Sequence, residues 1–333
     1  MKAMICTRFG GPEVLELHEV AAPEPGPRQL LVRVHATSVG YGDLLARDFG
    51  AVGPREFTMP LLFWLLTKLF LGARRPKVTI LGAEFAGVVE RVGRDVTAFR
   101  VGDEVFGYLG QSMGADAELL CVAEGACVAH KPSAISFEEA AVIPYGATLA
   151  LDLLKKAKIR PGERVLVIGA SGGLGSAAVQ LLARHFGAEV TGVCGPASLE
   201  YVRSLGASAV LDHTRDDLAQ RGTTYDVIFD VLGKSSWARC EPLLNEGGRY
   251  LRASFKGREL LQMLWTSLSR RKRRVICALA PGDRAALLAV TELVEAGTLR
   301  AGIDRTFPLE RLADAHRYAE SGAKHGHVVV RVR

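Results

Sequence analysis

Residues 165 to 180, VLVIGASGGLGSAAVQ, constrain the fold more than any other stretch of the chain. A short apolar β-branched run opens it, a glycine-rich turn follows, and a helix-forming run closes it. A strand–turn–helix unit of this kind begins a mononucleotide-binding βαβ half. The turn reads Ala170-Ser171-Gly172-Gly173-Leu174-Gly175, with alanine where the usual pattern has its first glycine. Ala170 has only to permit a tight turn. Glycine elsewhere lets backbone N–H groups approach a pyrophosphate whose charge sits at the helix N-terminus. A turn without a ligand accounts for one glycine; Gly169, Gly172, Gly173 and Gly175 together are harder to explain that way. Valine at 172 or 175 is expected to abolish cofactor binding without unfolding the chain.

The surrounding pattern repeats the unit. From about 129 to 282 the strands RVLVIGA, AEVTGVCG, SAVLDHT, YDVIFDVLG and GRYLRAS alternate with helical runs such as GLGSAAVQLLARHF and SLEYVRSLGA. Strands alternating with helices predict a parallel, doubly wound α/β sheet. The part up to about 128 reads as β-rich: LLVRVHATSV alternates, and FAGVVERVG and DEVFGYL are further short strands. Residues 283 to 333 hold two helical stretches, RAALLAVTELVEAG and LADAHRYAESG, and end in the strand HVVVRVR. A length of 333 residues suits two domains.

The second strand decides between nicotinamide cofactors. An NAD site places an acid at its end, about 20 residues beyond the turn, to hold the ribose hydroxyls. Here the strand ends Val193-Cys194-Gly195-Pro196, with no acid to repel a 2′-phosphate, and Arg203, His213 and Arg215 follow. NADPH is therefore expected over NADH. The candidate cofactor set is Ala170, Ser171, Gly172, Gly173, Leu174, Gly175, Cys194, Gly195, Arg203, His213 and Arg215.

Composition narrows the class. Hydrophobic residues make up 48% and charged residues 23%, as in a soluble globular enzyme. The formal charge of +6 favours anionic ligands, but no face combines basic and aromatic residues, so nucleic acid is not an expected partner. Six cysteines at 6, 121, 127, 194, 240 and 277 form no CxxC, a pattern of a reducing, cytoplasmic protein. The N-terminus, MKAMICTRFGGPEVLELHEV, lacks a signal-peptide core. The run MPLLFWLLTKLFL, 59 to 71, contains Lys68 and falls short of the roughly 18 apolar residues a membrane span needs. That run and LLQMLWTSLSRRKRR, 260 to 274, each place apolar residues before a basic cluster. Such a pattern can rest at a lipid interface as a peripheral membrane contact. An apolar lid over a substrate cleft, or a subunit contact, is the expected use.

The segments LGAEFAGVVERVG, VGDEVFG, FEEAAVIPYGATLALDLL, RPGERVLVIGASGGLGSAAVQLLARHFGAEVTGVC and SLGASAVLD follow in this order. Over essentially the whole chain this resembles the medium-chain dehydrogenase/reductase superfamily, and within it the zinc-independent quinone oxidoreductase group. The resemblance implies a GroES-like β-rich catalytic domain over 1–128 and 283–333 and a Rossmann domain over 129–282. Zinc enzymes of the superfamily carry a catalytic cysteine, a Gly-His-Glu and a later cysteine. The matching positions here are Gly40 in SVGYGD, Ala83 in GAE and Pro144 in IPYGAT, and the four-cysteine structural lobe is absent. Zinc needs three or four nitrogen or sulfur donors, so no metal is expected. His325-Gly-His327 reads as turn and strand. The resemblance also implies that Tyr41 and Asp43 lie in the loop approaching the nicotinamide. It puts Tyr145 between the domains and Thr148 beside the nicotinamide ring. Packing at the domain junction explains both tyrosines equally well, a loop cap explains Asp43, and Glu84 reads as structural. A homodimer joined at the apolar strand RRVICALA, 273 to 280, is also expected.

Without a metal to polarise a carbonyl, simple alcohol oxidation lacks its Lewis acid. Quinones and α,β-unsaturated carbonyls need less: hydride adds to a conjugated system and one donor stabilises the oxygen. The expected activity is NADPH-dependent reduction of such acceptors. If the apolar runs at 59–71 and 260–268 border the cleft, bulky hydrophobic acceptors are favoured over small alcohols. The alternatives are an enoyl-thioester reductase and a non-enzymatic NADPH-binding protein acting in regulation or at a membrane surface.

Overall fold

The computed structural model describes residues 1–218, 222–268, 272–280 and 282–333. The N-terminal part holds strands β1 (Lys2–Cys6), β2 (Leu15–Glu19), β3 (Gln29–Val39), β4 (Glu84–Val92), β5 (Glu104–Tyr108), β6 (Leu119–Ala123) and β7 (Val128–His130). Its helices are α1 (Tyr41–Arg47), α2 (Leu61–Leu71) and α3 (Phe137–Ala140). Next come α4 (Pro144–Ala157), β8 (Arg164–Ile168), α5 (Gly173–Gln180), β9 (Glu189–Cys194), α6 (Leu199–Ser204), β10 (Ala209–Asp212) and β11 (Tyr225–Asp230). They are followed by α7 (Trp237–Cys240), β12 (Leu244–Arg252), α8 (Gly257–Leu268) and β13 (Arg274–Cys277). The chain closes with α9 (Arg284–Glu295), β14 (Ile303–Pro308), α10 (Leu312–Glu320) and β15 (His327–Arg331).

Two compact units result. One comprises Met1–Pro54, Leu65–Thr148 and Pro281–Arg333; the other comprises Arg55–Trp64 and Leu149–Ala280. In the first, the sheet order is β14-β15-β3-β4-β5-β7, with β6 also paired to β3. Leu30, Val32 and Val34 of β3 enter a buried cluster with Phe85, Val89, Val105 and Val128. The alternation read from β3 holds for that face. The other face is covered too, because the His35 ring stacks on Phe137 of α3 with centroids 4.2 Å apart. Arg331 of β15 pairs with Glu138 of the same helix at 2.9 Å. Residues 129–148 pack with the β-rich unit, and the compact division lies at 148/149.

In the second unit the order is β10-β9-β8-β11-β12-β13, every neighbouring pair parallel. This is the doubly wound arrangement, with strand order reversing beside the first strand. The expected helix after β8 is α5 for eight residues, then widens at Leu181–His185 into a π turn closed by Phe186 N–H on the Leu181 carbonyl at 2.9 Å. The buried cluster beneath the sheet joins Leu166, Ile228, Trp237 and Tyr250. Strand β13, inside the expected RRVICALA, forms one edge of the sheet, pairing with β12. Among the described residues no helix is long and apolar enough to cross a membrane.

Candidate active site

The turn after β8 explains the alanine. Gly169 takes the left-handed conformation with φ at +90°, and a Cβ there would meet Leu232 Cγ at 2.7 Å. Ala170 is not among the positive-φ residues, so the position that needs glycine lies one residue earlier than the motif puts it. The amides of Gly169 and Ala170 both donate to the Val193 carbonyl at 3.0 Å, tying the turn to β9. Gly172 caps α5 and accepts from Ser176 N–H at 2.7 Å. The amides that open this helix, from Gly173 to Gly175, have no acceptor within it and give its N-terminus positive character.

The remaining glycines do different work. A Cβ at 175 would lie 2.0 Å from the Gly169 carbonyl oxygen, a clash with the turn itself. At 172 the nearest atom would be 3.8 Å away. Valine at 175 would therefore disrupt the turn, contrary to the expectation that both positions would test ligand approach alone. Gly172, half-buried beside Ser171 and Gly173, leaves room beside the opening amides of α5, as a dinucleotide pyrophosphate requires. Leu174 is buried on α5.

At the end of β9, Cys194 is buried, and that burial pushes its thiol up to about 11. Its register partner on β10 is Asp212, a buried acid that the search for an acid at the second strand's end missed. Asp212 Oδ1 accepts from Thr214 N and Oγ1 at 2.9 and 2.8 Å. These bonds, with Arg215 and His213 each at 3.8 Å, hold the carboxyl below its usual range. His213 N–H also donates to the Cys194 carbonyl at 3.1 Å. The structure thus gathers Cys194, His213 and Arg215 at the strand ends beside half-buried Gly195, while exposed Arg203 pairs with Glu200 on its own helix. The sequence signal for Asp212 was the local Asp-His-Thr run, which suits a side chain capping its own turn.

The other candidates sit in the β-rich unit, around three buried carboxyls. Asp43 Oδ2 accepts from Gly40 N–H at 2.8 Å, closing the first turn of α1, and Oδ1 accepts from Gly82 N–H at 3.2 Å. Glu84 accepts from Ser38 Oγ at 2.7 Å and from Tyr145 N–H at 2.8 Å. Thr37 Oγ1 donates to the Glu84 carbonyl at 2.8 Å and lies 3.4 Å from Asp116 Oδ1. Burial pushes Asp43 up to about 6 and Glu84 up to about 7, and raises Asp116 well above the carboxylate range with help from the Asp43 charge. Three carboxyls this close in a dry interior cannot all ionise. Asp116, Thr37 and Ser38 were missed because nothing in the sequence brings residues so far apart to one point.

Tyr145 begins α4, its ring 5.3 Å from that of Tyr108, and burial pushes its hydroxyl up to about 12. Tyr41 stands exposed at the start of α1. Thr148 is buried and donates to the Pro144 carbonyl at 2.6 Å. Gly40, Ala83 and Pro144 lie within this same network, each within three residues of Asp43, Glu84 or Tyr145, and carry no donor side chain. Among the described residues no group of three or more His, Cys, Asp or Glu side chains could hold a metal ion.

Residues 26–149 match the family described as alcohol dehydrogenase GroES-like domain, and 205–330 match that described as zinc-binding dehydrogenase. A mouse mitochondrial NAD(P)H oxidoreductase, RTN4IP1, is 30% identical, over 100% of this chain and 89% of its own. An Arabidopsis thaliana chloroplastic NADPH-dependent alkenal/one oxidoreductase is 28% identical, over 99% of this chain and 79% of its own. The solved quinone oxidoreductase of Coxiella burnetii superposes with a TM-score of 0.83 at 28% identity, covering 100% of this chain and 99% of that one. The chain belongs to the medium-chain dehydrogenase/reductase superfamily, in its quinone oxidoreductase-like group. The β-rich GroES-like part and the Rossmann part are both as expected.

The glycine geometry separates binding from folding. Gly172→Val is expected to stay folded and lose nicotinamide dinucleotide affinity by about 10–100-fold, because the added side chain fills the room in which the phosphate meets the opening amides of α5. Gly175→Ala is expected to cost about 1–3 kcal/mol of stability by overpacking. Fluorescence titration and urea unfolding read the two; unchanged affinity in Gly172→Val would mean the pyrophosphate lies elsewhere.

Glu84 makes a pH prediction. Its folded value of about 7 exceeds the ordinary 4.5, so between these pH values the folded chain holds a proton that the unfolded chain has lost. Its contribution is therefore full below the window and is lost as pH rises through it. In Glu84→Gln the amide oxygen still accepts from Tyr145 and the amide donates to Ser38. Relative to the parent, the variant should gain on the order of 2–3 kcal/mol between pH 5 and 8. Paired denaturation curves across that range test it, and a constant difference would refute it.

Proposed function

We propose that the protein is an NADPH-dependent oxidoreductase that reduces quinones or α,β-unsaturated carbonyls without a catalytic zinc ion. The observation that carries this is the dinucleotide turn at Gly169–Gly175 in a chain whose Gly40, Ala83 and Pro144 offer no metal donor. The named activities of the Arabidopsis and Coxiella relatives support the substrate class.

When bound, the nicotinamide supplies the hydride. The opening amides of α5 would hold the pyrophosphate, and Gly172 leaves room for it. NADPH is favoured because β9 ends without an acid, and the side chains of exposed Arg203 and Arg215 follow in sequence as candidate partners for a 2′-phosphate. Asp212 opposes this least when its charge is spent on Thr214 and Arg215. Tyr41 and Tyr145 are the proposed donors lining the substrate position, and water or a tyrosine hydroxyl returns the proton that completes the two-electron reduction. Asp43, with both oxygens on backbone amides, braces the loop that carries Tyr41. The β-rich unit serves as catalytic domain and the parallel-sheet unit as cofactor domain. A homodimer joined at the β13 edge and a reducing compartment complete the proposal, supported by the edge position and six free cysteines. A monomer by light scattering at micromolar concentration would remove the dimer.

The test follows NADPH and NADH oxidation with 9,10-phenanthrenequinone, 1,4-benzoquinone, an enal and an enoyl-CoA, and NADP⁺ reduction with short-chain alcohols, before and after exhaustive chelation. The expected result is NADPH-dependent turnover of quinones or enones, insensitive to chelation, with negligible alcohol oxidation. Preference for short alcohols, chelation-sensitive turnover, or no turnover would overturn it, while preference for the enoyl-CoA would move the substrate class to thioesters.

A further inference from the structure

Helix α2 is built inside out. Leu61, Leu65 and Leu69 stand four residues apart, as do Leu62, Leu66 and Phe70, and all six side chains are exposed. At the helical period these rows lie side by side and cover about half the circumference. The opposite face holds buried Thr67 and Leu71 with partly buried Phe63 and Trp64. The helix contains no acid. Leu69 is 69% exposed, an unusual state for a leucine inside a row of leucines.

A basic cluster follows directly. Arg74, Arg75 and Lys77 are exposed, and Lys77 Nζ donates to the Leu69 carbonyl at 2.9 Å. The ammonium thus sits at the C-terminal end of the apolar rows. Helix α8 repeats the plan independently. Leu261, Leu264, Trp265 and Leu268 form an exposed stripe, with Leu268 at 78%. Its acid, Glu259, is turned to Arg252 and to the Lys256 amide. Exposed Arg258 opens the helix and exposed Arg274 follows it; Lys272 pairs with Glu246, and Arg270 and Arg271 lie outside the described residues.

We propose that α2, with its trailing Arg74, Arg75 and Lys77, docks the protein on an anionic lipid surface, and that the α8 stripe is a second contact of the same kind. Charge complementarity decides the occupant. An apolar helix face edged by cations matches a layer whose interior is apolar and whose headgroups are negative. A second copy of this chain would set the same cations against each other, and a small apolar substrate has no anion for three of them. Trp265 suits the boundary between apolar and wet regions. Docking by these faces is independent of the redox activity proposed above.

Vesicle flotation of the full chain tests this without turnover. Phosphatidylcholine vesicles alone are compared with phosphatidylcholine–phosphatidylglycerol vesicles at low and high salt. Recovery with the anionic vesicles, weakened by salt, is expected. Leu65→Gln with Leu69→Gln should lower partitioning about tenfold or more, with the fold kept because both side chains are exposed. Arg74→Glu with Arg75→Glu should lower binding to anionic vesicles comparably. Four results would overturn the proposal: no flotation, equal flotation on neutral vesicles, a fall in mass of the leucine variant by light scattering, or a raised quinone KM in that variant with flotation unchanged. The third would assign the face to a second copy and the fourth to the substrate.

Discussion

The Glu84 carboxyl is the point on which the β-rich unit closes. It accepts from Ser38 at the end of β3 and from the Tyr145 amide at the start of α4, while its own backbone carbonyl takes the Thr37 hydroxyl. Two strands and a helix start are joined by one side chain in an interior that penalises its charge. Desolvation of the ionised form is the larger effect, which is why Glu84 rises to about 7 despite two good donors. Asp43 does the same for the neighbouring loop, where two amides offset part of the cost and leave it nearer 6. The hydrogen bonds therefore set the geometry, and burial sets the protonation.

The nucleotide turn relies on a different economy, that of backbone room. Gly169 supplies conformation, Gly175 close packing and Gly172 open space, so glycines that look alike in sequence have unlike reasons to be there. The alanine at 170 costs nothing because no left-handed backbone is asked of it. Its Cβ points instead toward the sheet, where a Cβ at Gly192 would lie only 3.1 Å from it.

Local patterns were legible in the sequence. The βαβ alternation predicted the parallel sheet, and VLVIGASGGLGSAAVQ predicted the turn at its first strand. Patterns spread along the chain were not. Asp116, Ser38 and Glu84 share a network only because β3, β4 and the loop before β6 converge. The packing of Phe137 on His35, about 100 residues earlier, is a long-range contact that no periodicity carries. Asp212 escaped notice for a related reason. Strand ends are neighbours in space, so an acid ending the third strand stands beside Cys194 at the end of the second. The apolar runs at 59–71 and 260–268 were recognisable as unusual, but which way their leucines face is a tertiary property.

The same network bears on the proposal that no zinc ion takes part in catalysis. A metal site needs donors that are deprotonated and turned toward a common point. Gly40, Ala83 and Pro144 have no donor atoms to turn, and the nearest carboxyls point elsewhere: Asp43 to the Gly40 and Gly82 amides, Glu84 to Ser38 and the Tyr145 amide. Recruiting either would break two hydrogen bonds that hold the carboxyl in its present direction. On the proposed zinc-independent reading, substrate oxygen is stabilised by hydrogen bonding. That requirement suits acceptors in which conjugation already spreads the incoming charge.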